Sequence, residues 1–284
     1  VLFMGNLLYS VLLPSFISGM VSFQVSRFFG IEYHYTFLEV SSVFDFELFS
    51  YTVLAGIFFG IVCVLFIEIM SIFEKLFKNI KLIPEWKAFI GGLIIVLFSY
   101  CFSTQYLGLG LDTIEQTLDG VSIIWYAFLI KIFLTCLTLS FGGSGGVLTP
   151  IFFIGATSGA SFAQTFELNP SLFASFGMVS LIGGAANTPV AACVLAIELF
   201  GSSIAPYAAL AVVVSFFMTG YRSIFPSQVL SAKKTQSVIL KNREEVESFE
   251  THFDYKTRRI MASGRSMAKK LIKTKKNYVF NFFF

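Results

Sequence analysis

At 284 residues the chain has the length of two soluble domains, yet 56% of it is hydrophobic and only 13% is charged. A mean hydropathy of +0.78 and 36 phenylalanines exclude an ordinary soluble core and place the chain in a lipid bilayer. The net charge of +3 hides an asymmetry, because residues 1–230 carry 7 Lys/Arg against 12 Asp/Glu while residues 231–284 carry 13 against 5. The shift at Ser231 predicts a transmembrane domain over 1–230 and a basic tail over 231–284 on the cytoplasmic side. The tail reads as ordinary positive-inside charge, with an anionic lipid surface as the alternative partner. No nucleic-acid partner, cofactor or metal is expected. Cys63, Cys101, Cys136 and Cys193 stand singly in apolar segments, without metal-like spacing, and read as small buried side chains.

In chain order the pattern predicts a series of helices. Leu7–Phe29 is long enough to span, and Gly30–Ser50 is a loop with Glu32, Glu39, Asp45 and Glu47 but no Lys or Arg. Tyr51–Phe73 spans next, and Lys75, Lys78, Lys81 and Lys87 flank a turn at Ile83-Pro84. Ala88–Phe102 returns, followed by a glycine-rich polar loop from Tyr106 to Gly120, and Val121–Phe141 descends to a break. Beyond it come Ile151–Phe166, Leu172–Gly184, Val190–Phe200, Ile204–Met218 and a last segment from Ser223. Several of these fall short of the roughly 20 residues a span requires, so some are half-helices. The lysine-rich turn and the basic tail share one face, and the acidic loop lies on the other. Gly56-xxx-Gly60 and Gly155-xxx-Gly159 read as close helix–helix contacts.

The break itself, Leu-Ser-Phe-Gly-Gly-Ser-Gly-Gly-Val-Leu-Thr-Pro over residues 139–150, carries the most chemistry. Gly142, Gly143, Gly145 and Pro150 are the structural breakers, since glycine weakens a helix and proline removes a donor. Unpaired backbone in hydrocarbon costs several kcal/mol per group, roughly, so a broken helix at membrane depth must line a cavity covered by protein. Proline favours a first helical turn, which places free N–H groups just before Ile151. A helix N-terminus carries partial positive charge and unpaired donors, and so attracts an anion. A second Thr-Pro at Thr188-Pro189 follows another glycine pair, Gly183-Gly184. Paired interrupted segments mark the midplane site of repeat-built transporters, but close helix packing explains Pro189 equally well.

These residues resemble a known family. Gly145-Gly146-Val147-Leu148-Thr149-Pro150 is similar to the second anion-binding motif, G-x-F-x-P, of the CLC chloride channel and transporter family. Tyr106-Leu107-Gly108-Leu109-Gly110 with Thr113-Ile114 resembles that family's extracellular stretch. Gly177-Met178-Val179 through Asn187-Thr188-Pro189 to Ile197-Glu198 is similar to its G-M-x-A…A-P…E segment, and Arg222–Gln228 resembles the start of its last helix. The resemblance implies an all-α polytopic membrane protein of broken and tilted helices, the second half of an inverted repeat, assembled as a homodimer with a pore in each subunit. It implies chloride or a similar small anion held by the N–H groups of Val147 and Leu148 after Gly146, with Phe225 where the family usually has a tyrosine. Leu148 replaces the motif's usual phenylalanine. A serine-bearing G-S-G-I-P motif and a G-[KR]-E-G-P gating motif do not occur in this sequence. The expectation is therefore a partial chain, a channel or proton-coupled exchanger half in a bacterial inner membrane, which by itself does not conduct selectively.

Rival readings come from other classes. Gly142-Gly143-Ser144-Gly145-Gly146 satisfies a hydrolase G-x-S-x-G pattern, but that chemistry needs a histidine base. His34 and His252 lie in a loop and in the tail, so no enzyme is expected. Another transporter fold with broken helices, or a non-conducting partner or relict fragment, are the alternatives. Of the charges near apolar segments, Lys131 is read as a structural residue whose stem snorkels. Glu68 and Glu74 are expected to pair with Lys75 or Lys78, and Glu198 to lie near a membrane face.

Overall fold

The computed structural model describes residues 9–30, 38, 40, 45–78, 83–225, 229–230 and 244–245. The chain forms two units, Ser10–Phe225 and a second comprising Val1–Tyr9 with Pro226–Phe284. Within the second, Val229–Leu230 pairs antiparallel with Glu244–Glu245. The expected basic tail otherwise lies outside the described residues, as do Glu32, His34, Glu39, Lys81 and His252.

The first unit is helical. It runs α1 (Tyr9–Phe28), α2 (Phe46–Lys78), α3 (Pro84–Cys101), a short 3-10 turn (Thr104–Tyr106), α4 (Leu111–Leu118) and α5 (Ala127–Ser140). After the break come α6 (Leu148–Thr165), α7 (Pro170–Ala185), α8 (Pro189–Phe200) and α9 (Ala205–Thr219). Among the described residues α2 is the helix long and apolar enough to cross a membrane. Its 33 residues measure about 50 Å, longer than the hydrocarbon layer, so it runs obliquely or reaches past it. Helices α5, α7, α8 and α9 have 12–16 residues and are half-spans; the sequence pattern predicts this for α7, α8 and α9, whereas it makes Val121–Phe141 long enough to span.

Small residues set how these helices meet. A Cβ on Gly155 would lie 2.6 Å from the Gly177 carbonyl oxygen, and one on Gly159 would collide with the Phe173 carbonyl, so α6 and α7 touch backbone to backbone. Gly56 and Gly60 bring α2 onto Val214 and Met218 of α9 in the same way. Lipid tails are as apolar as leucine, so such contacts hold membrane helices by close packing more than by water exclusion. Around them Phe59, Phe153, Phe173 and Phe176 are fully buried. The ring of Phe162 packs against Phe58, Phe59, Phe166 and Phe173. Cys63 and Cys136 are buried as expected, and Cys193 is half-buried.

Several boundaries differ from the sequence pattern, each for a backbone reason. The polar loop after Tyr106 contains α4, with Thr113, Ile114, Thr117 and Leu118 turned inward. Gly110, at φ +71°, starts it, and the Ser171 hydroxyl ties its Leu118 carbonyl to α7. Helix α5 begins at Ala127 and not at Val121, and just before it the Trp125 carbonyl accepts from Ser161 Oγ at 2.9 Å. Helix α6 begins at Leu148, three residues before the expected Ile151. Its first turn closes through Ile151 N–H to the Val147 carbonyl (3.1 Å), so Pro150 sits inside that turn, where its missing donor has no helical partner to lose. Helix α7 runs through Gly183, Gly184 and Ala185. From Ser223 to Phe225 the chain is not helical, and Val229–Leu230 is extended, so the expected last helix does not form there.

Candidate functional site

Two helix breaks emerge, and they differ. The first joins α5 to α6. Gly142, at φ +90°, closes α5 by donating to the Leu139 carbonyl (3.1 Å), and Gly143 donates to the Thr138 carbonyl (2.9 Å). A Cβ on Gly143 would fall 2.7 Å from that oxygen, which requires glycine there. Gly145 and Gly146 have neither a positive φ nor any atom within 4 Å of a Cβ position. Gly142 to Gly146 are exposed, so in this chain the expected cover of protein over the break is not present among the described residues.

Beyond them the N–H groups of Val147, Leu148 and Thr149 precede the first helical hydrogen bond of α6, and Val147 offers no side-chain cap. Among the described residues none of the three has an acceptor. They form the positive end of an 18-residue helix. A cleft of about 450 Å³ opens beside them, with Gly145, Gly146 and Pro150 on one wall and Tyr106, Gly108 and Lys131 on another. No Asp or Glu lines it.

Lys131 departs from the expected snorkelling residue. It is 2% exposed, and its ammonium donates to the carbonyls of Gly108 (2.7 Å) and Tyr106 (3.1 Å). It also lies 4.7 Å from the centre of the Phe153 ring, a cation–π contact. No carboxylate stands within ion-pair distance of it among the described residues. The loop it holds requires Gly108 at φ +58° and Gly110 at φ +71°, and a Cβ on Gly110 would strike Phe153 at 2.6 Å.

The second break, between α7 and α8, is closed by the chain itself. Thr188 N–H donates to the Gly183 carbonyl (3.2 Å), and Pro189 opens α8. Ile224 N–H and Ser223 Oγ donate to the Ala185 carbonyl at 2.9 and 3.4 Å. Asn187, at φ +57°, donates from Nδ2 to the Arg222 carbonyl at 3.0 Å. The Arg222 guanidinium meets Glu68 Oε1 at 2.6 Å, so Glu68 pairs here and not with Lys75 or Lys78.

The candidate residues thus separate into two groups. Gly145, Gly146 and Pro150 share the cleft, with Val147 and Leu148 directly beside it. Phe225 is 39% exposed, its N–H donates to Ser223 Oγ (3.1 Å), and through Ser223 it belongs to the second break with Pro189. No hydrogen bond joins Phe225 to Val147 or Leu148 among the described residues. Reading the sequence missed Tyr106 as a cleft residue. Its signal was a tyrosine two residues before the first of two turn-forming glycines, Gly108 and Gly110.

Comparison with known proteins bears on the family and the fold. The sequence profile described as voltage gated chloride channel matches residues 1–220. A chloride/fluoride channel protein of Pseudomonas syringae pv. tomato is 33% identical over 242 residues, covering 82% of this chain and 53% of its own length. The voltage-gated ClC-type chloride channel ClcB of Escherichia coli K12 is 26% identical, over 69% of this chain and 50% of that protein. The chain spans about half the length of the curated relatives it matches. A crystal structure of a CLC-type fluoride/proton antiporter superposes with a TM-score of 0.74 at 30% identity, covering 80% of this chain and 58% of that one. A slow cyanobacterial Cl⁻/H⁺ antiporter shares the fold, with a TM-score of 0.55 at 20% identity over 66% of this chain and 48% of that one. With a profile match across most of its length and the same broken-helix architecture, the chain belongs to the voltage-gated chloride channel (CLC) family.

Proposed function

We propose that this chain forms one wall of a membrane pathway for a small anion, chloride or fluoride. The observation that carries the reading is the row of acceptor-free N–H groups at Val147, Leu148 and Thr149, beside a cleft that no carboxylate lines. Backbone donors at a helix N-terminus favour negative charge, and their strength rises where water is excluded. The names of the relatives, a chloride/fluoride channel protein and a fluoride/proton antiporter, suit the same ligand class. The exposed Gly142–Gly146 requires further protein across from it, because uncovered backbone polar groups are not stable in hydrocarbon. The function is anion transport and not catalysis, as a channel or a proton-coupled exchanger, carried out in the family's dimeric form in a bacterial inner membrane.

The test is direct. Bromide exchanged into crystals of the complete protein is expected to give anomalous density beside the N–H groups of Val147 and Leu148. Leu148→Pro removes one of those donors at the first residue of α6. A hydrogen bond to a charged group contributes about 1.5–3 kcal/mol, so halide affinity measured by calorimetry should fall by tenfold or more. Density confined to the protein surface, with unchanged affinity in Leu148→Pro, would overturn the reading.

A further inference from the structure

Tyr106 brings a second kind of donor to the cleft. The residue is 2% exposed, and its hydroxyl has no hydrogen-bond partner among the described residues. Buried hydroxyls in native proteins are nearly always paired, so an unpaired one on a residue that lines the cleft points to a partner that binds there. The cleft is the one that Gly145, Gly146 and Pro150 line beside the free N–H groups of α6.

The residue is held from two sides. Lys131 bonds its carbonyl at 3.1 Å, and the ring of Phe153 meets its ring edge-on at 6.4 Å. Lys131 adds an ammonium with no carboxylate within ion-pair distance among the described residues. The three features call for one kind of occupant: small, negatively charged and an acceptor of hydrogen bonds without a donor of its own. A halide has that chemistry.

We propose that the Tyr106 hydroxyl donates a hydrogen bond to the anion in the cleft, supplying from the α3–α4 loop the hydroxyl that Phe225 lacks. This rests on the reading of the cleft as the anion pathway. An O–H donor bound to a charged acceptor gains most from the smallest and most strongly accepting ion, so the contribution of Tyr106 is greater for fluoride than for bromide.

Tyr106→Phe removes the oxygen and keeps the ring against Phe153. Calorimetry on the complete protein in detergent is expected to show fluoride binding weakened about tenfold and bromide binding weakened less. Ser140→Ala serves as the comparison, because Ser140 Oγ is also buried and unpaired but does not line the cleft. That variant is expected to bind both ions as the unmodified protein does. With ¹³C-labelled tyrosine, the ring resonance that disappears in Tyr106→Phe should shift on fluoride titration. Equal fluoride affinity in Tyr106→Phe and the unmodified protein, with no such shift, would overturn the assignment and leave water as the hydroxyl's partner. If the unmodified protein binds neither fluoride nor bromide, the anion reading of the cleft fails first; if it binds them and Leu148→Pro binds them equally well, the backbone donors are the error.

Discussion

Both helix breaks start from one local recipe, a glycine pair followed within a few residues by Thr-Pro, yet their backbones end in opposite states. At the first, Gly145 and Gly146 face open space, and the N–H groups of Val147, Leu148 and Thr149 find no acceptor. At the second, Cβ atoms on Gly183 and Gly184 would lie 2.7 Å from Val212 Cγ1 and 2.8 Å from Cys63 Sγ. There the freed Ala185 carbonyl is taken up by Ile224 N–H and Ser223 Oγ. Glycine therefore serves two purposes on one chain. In the second break it lets side chains of α2 and α9 close over the backbone, and in the first it leaves the backbone bare. An anion needs bare donors, so the proposed anion site belongs to the first break, while the second is packed.

The largest effect should come from filling the packed break. Gly184→Leu places a side chain against Cys63, Ser215 and Thr219, with contacts at or below 2.9 Å at its Cβ alone. Overpacking of this kind costs about 3 kcal/mol. Gly145→Leu, into open space, should cost less than about 0.5 kcal/mol. Thermal unfolding in detergent compares them, and equal losses would dissolve the distinction between the two breaks.

A smaller effect tests whether the breaks share a ligand. Phe225 is anchored at the second break through Ser223 but keeps a partly exposed ring. If that ring faces the anion, Phe225→Tyr adds one hydroxyl donor, at about 1 kcal/mol. Chloride binding should then tighten several-fold by calorimetry. Unchanged affinity would confine Phe225 to the second break and leave the Tyr106 side of the cleft as the source of a hydroxyl.

The sequence disclosed the breaks more readily than their difference. Glycine runs and Thr-Pro pairs are local features, so the interruptions at 142–147 and 186–188, and the half-length helices around them, were legible. What lies opposite each glycine is not local. Val212, Cys63 and Ser223 reach the second break from elsewhere in the chain, and nothing near Gly183 announces them. Lys131 was misread for a similar reason. A lysine within an apolar helix snorkels by default, but here two carbonyls of a loop more than 20 residues away cap its ammonium. Helix α4 was legible in principle, since residues 113, 114, 117 and 118 repeat at helical spacing, but Gly108 and Gly110 read as loop and masked it.

The smallest effect concerns what closes the second break. The Arg222–Glu68 pair is short at 2.6 Å, yet both side chains are half exposed, at 50% and 51%. Exposed ion pairs contribute about 0–1 kcal/mol, because water screens the charges and ordering two long side chains costs entropy. The links that seal the break use main-chain atoms instead. Asn187 reaches the Arg222 carbonyl, and Ile224 N–H reaches Ala185. Neither needs the guanidinium. Glu68→Gln should therefore lower stability by less than about 0.5 kcal/mol, and added molar salt should mimic the change in the unmodified protein. A loss above about 2 kcal/mol would mean that the charge pair, and not the backbone, keeps the second break shut, and that its closure depends on ionic strength.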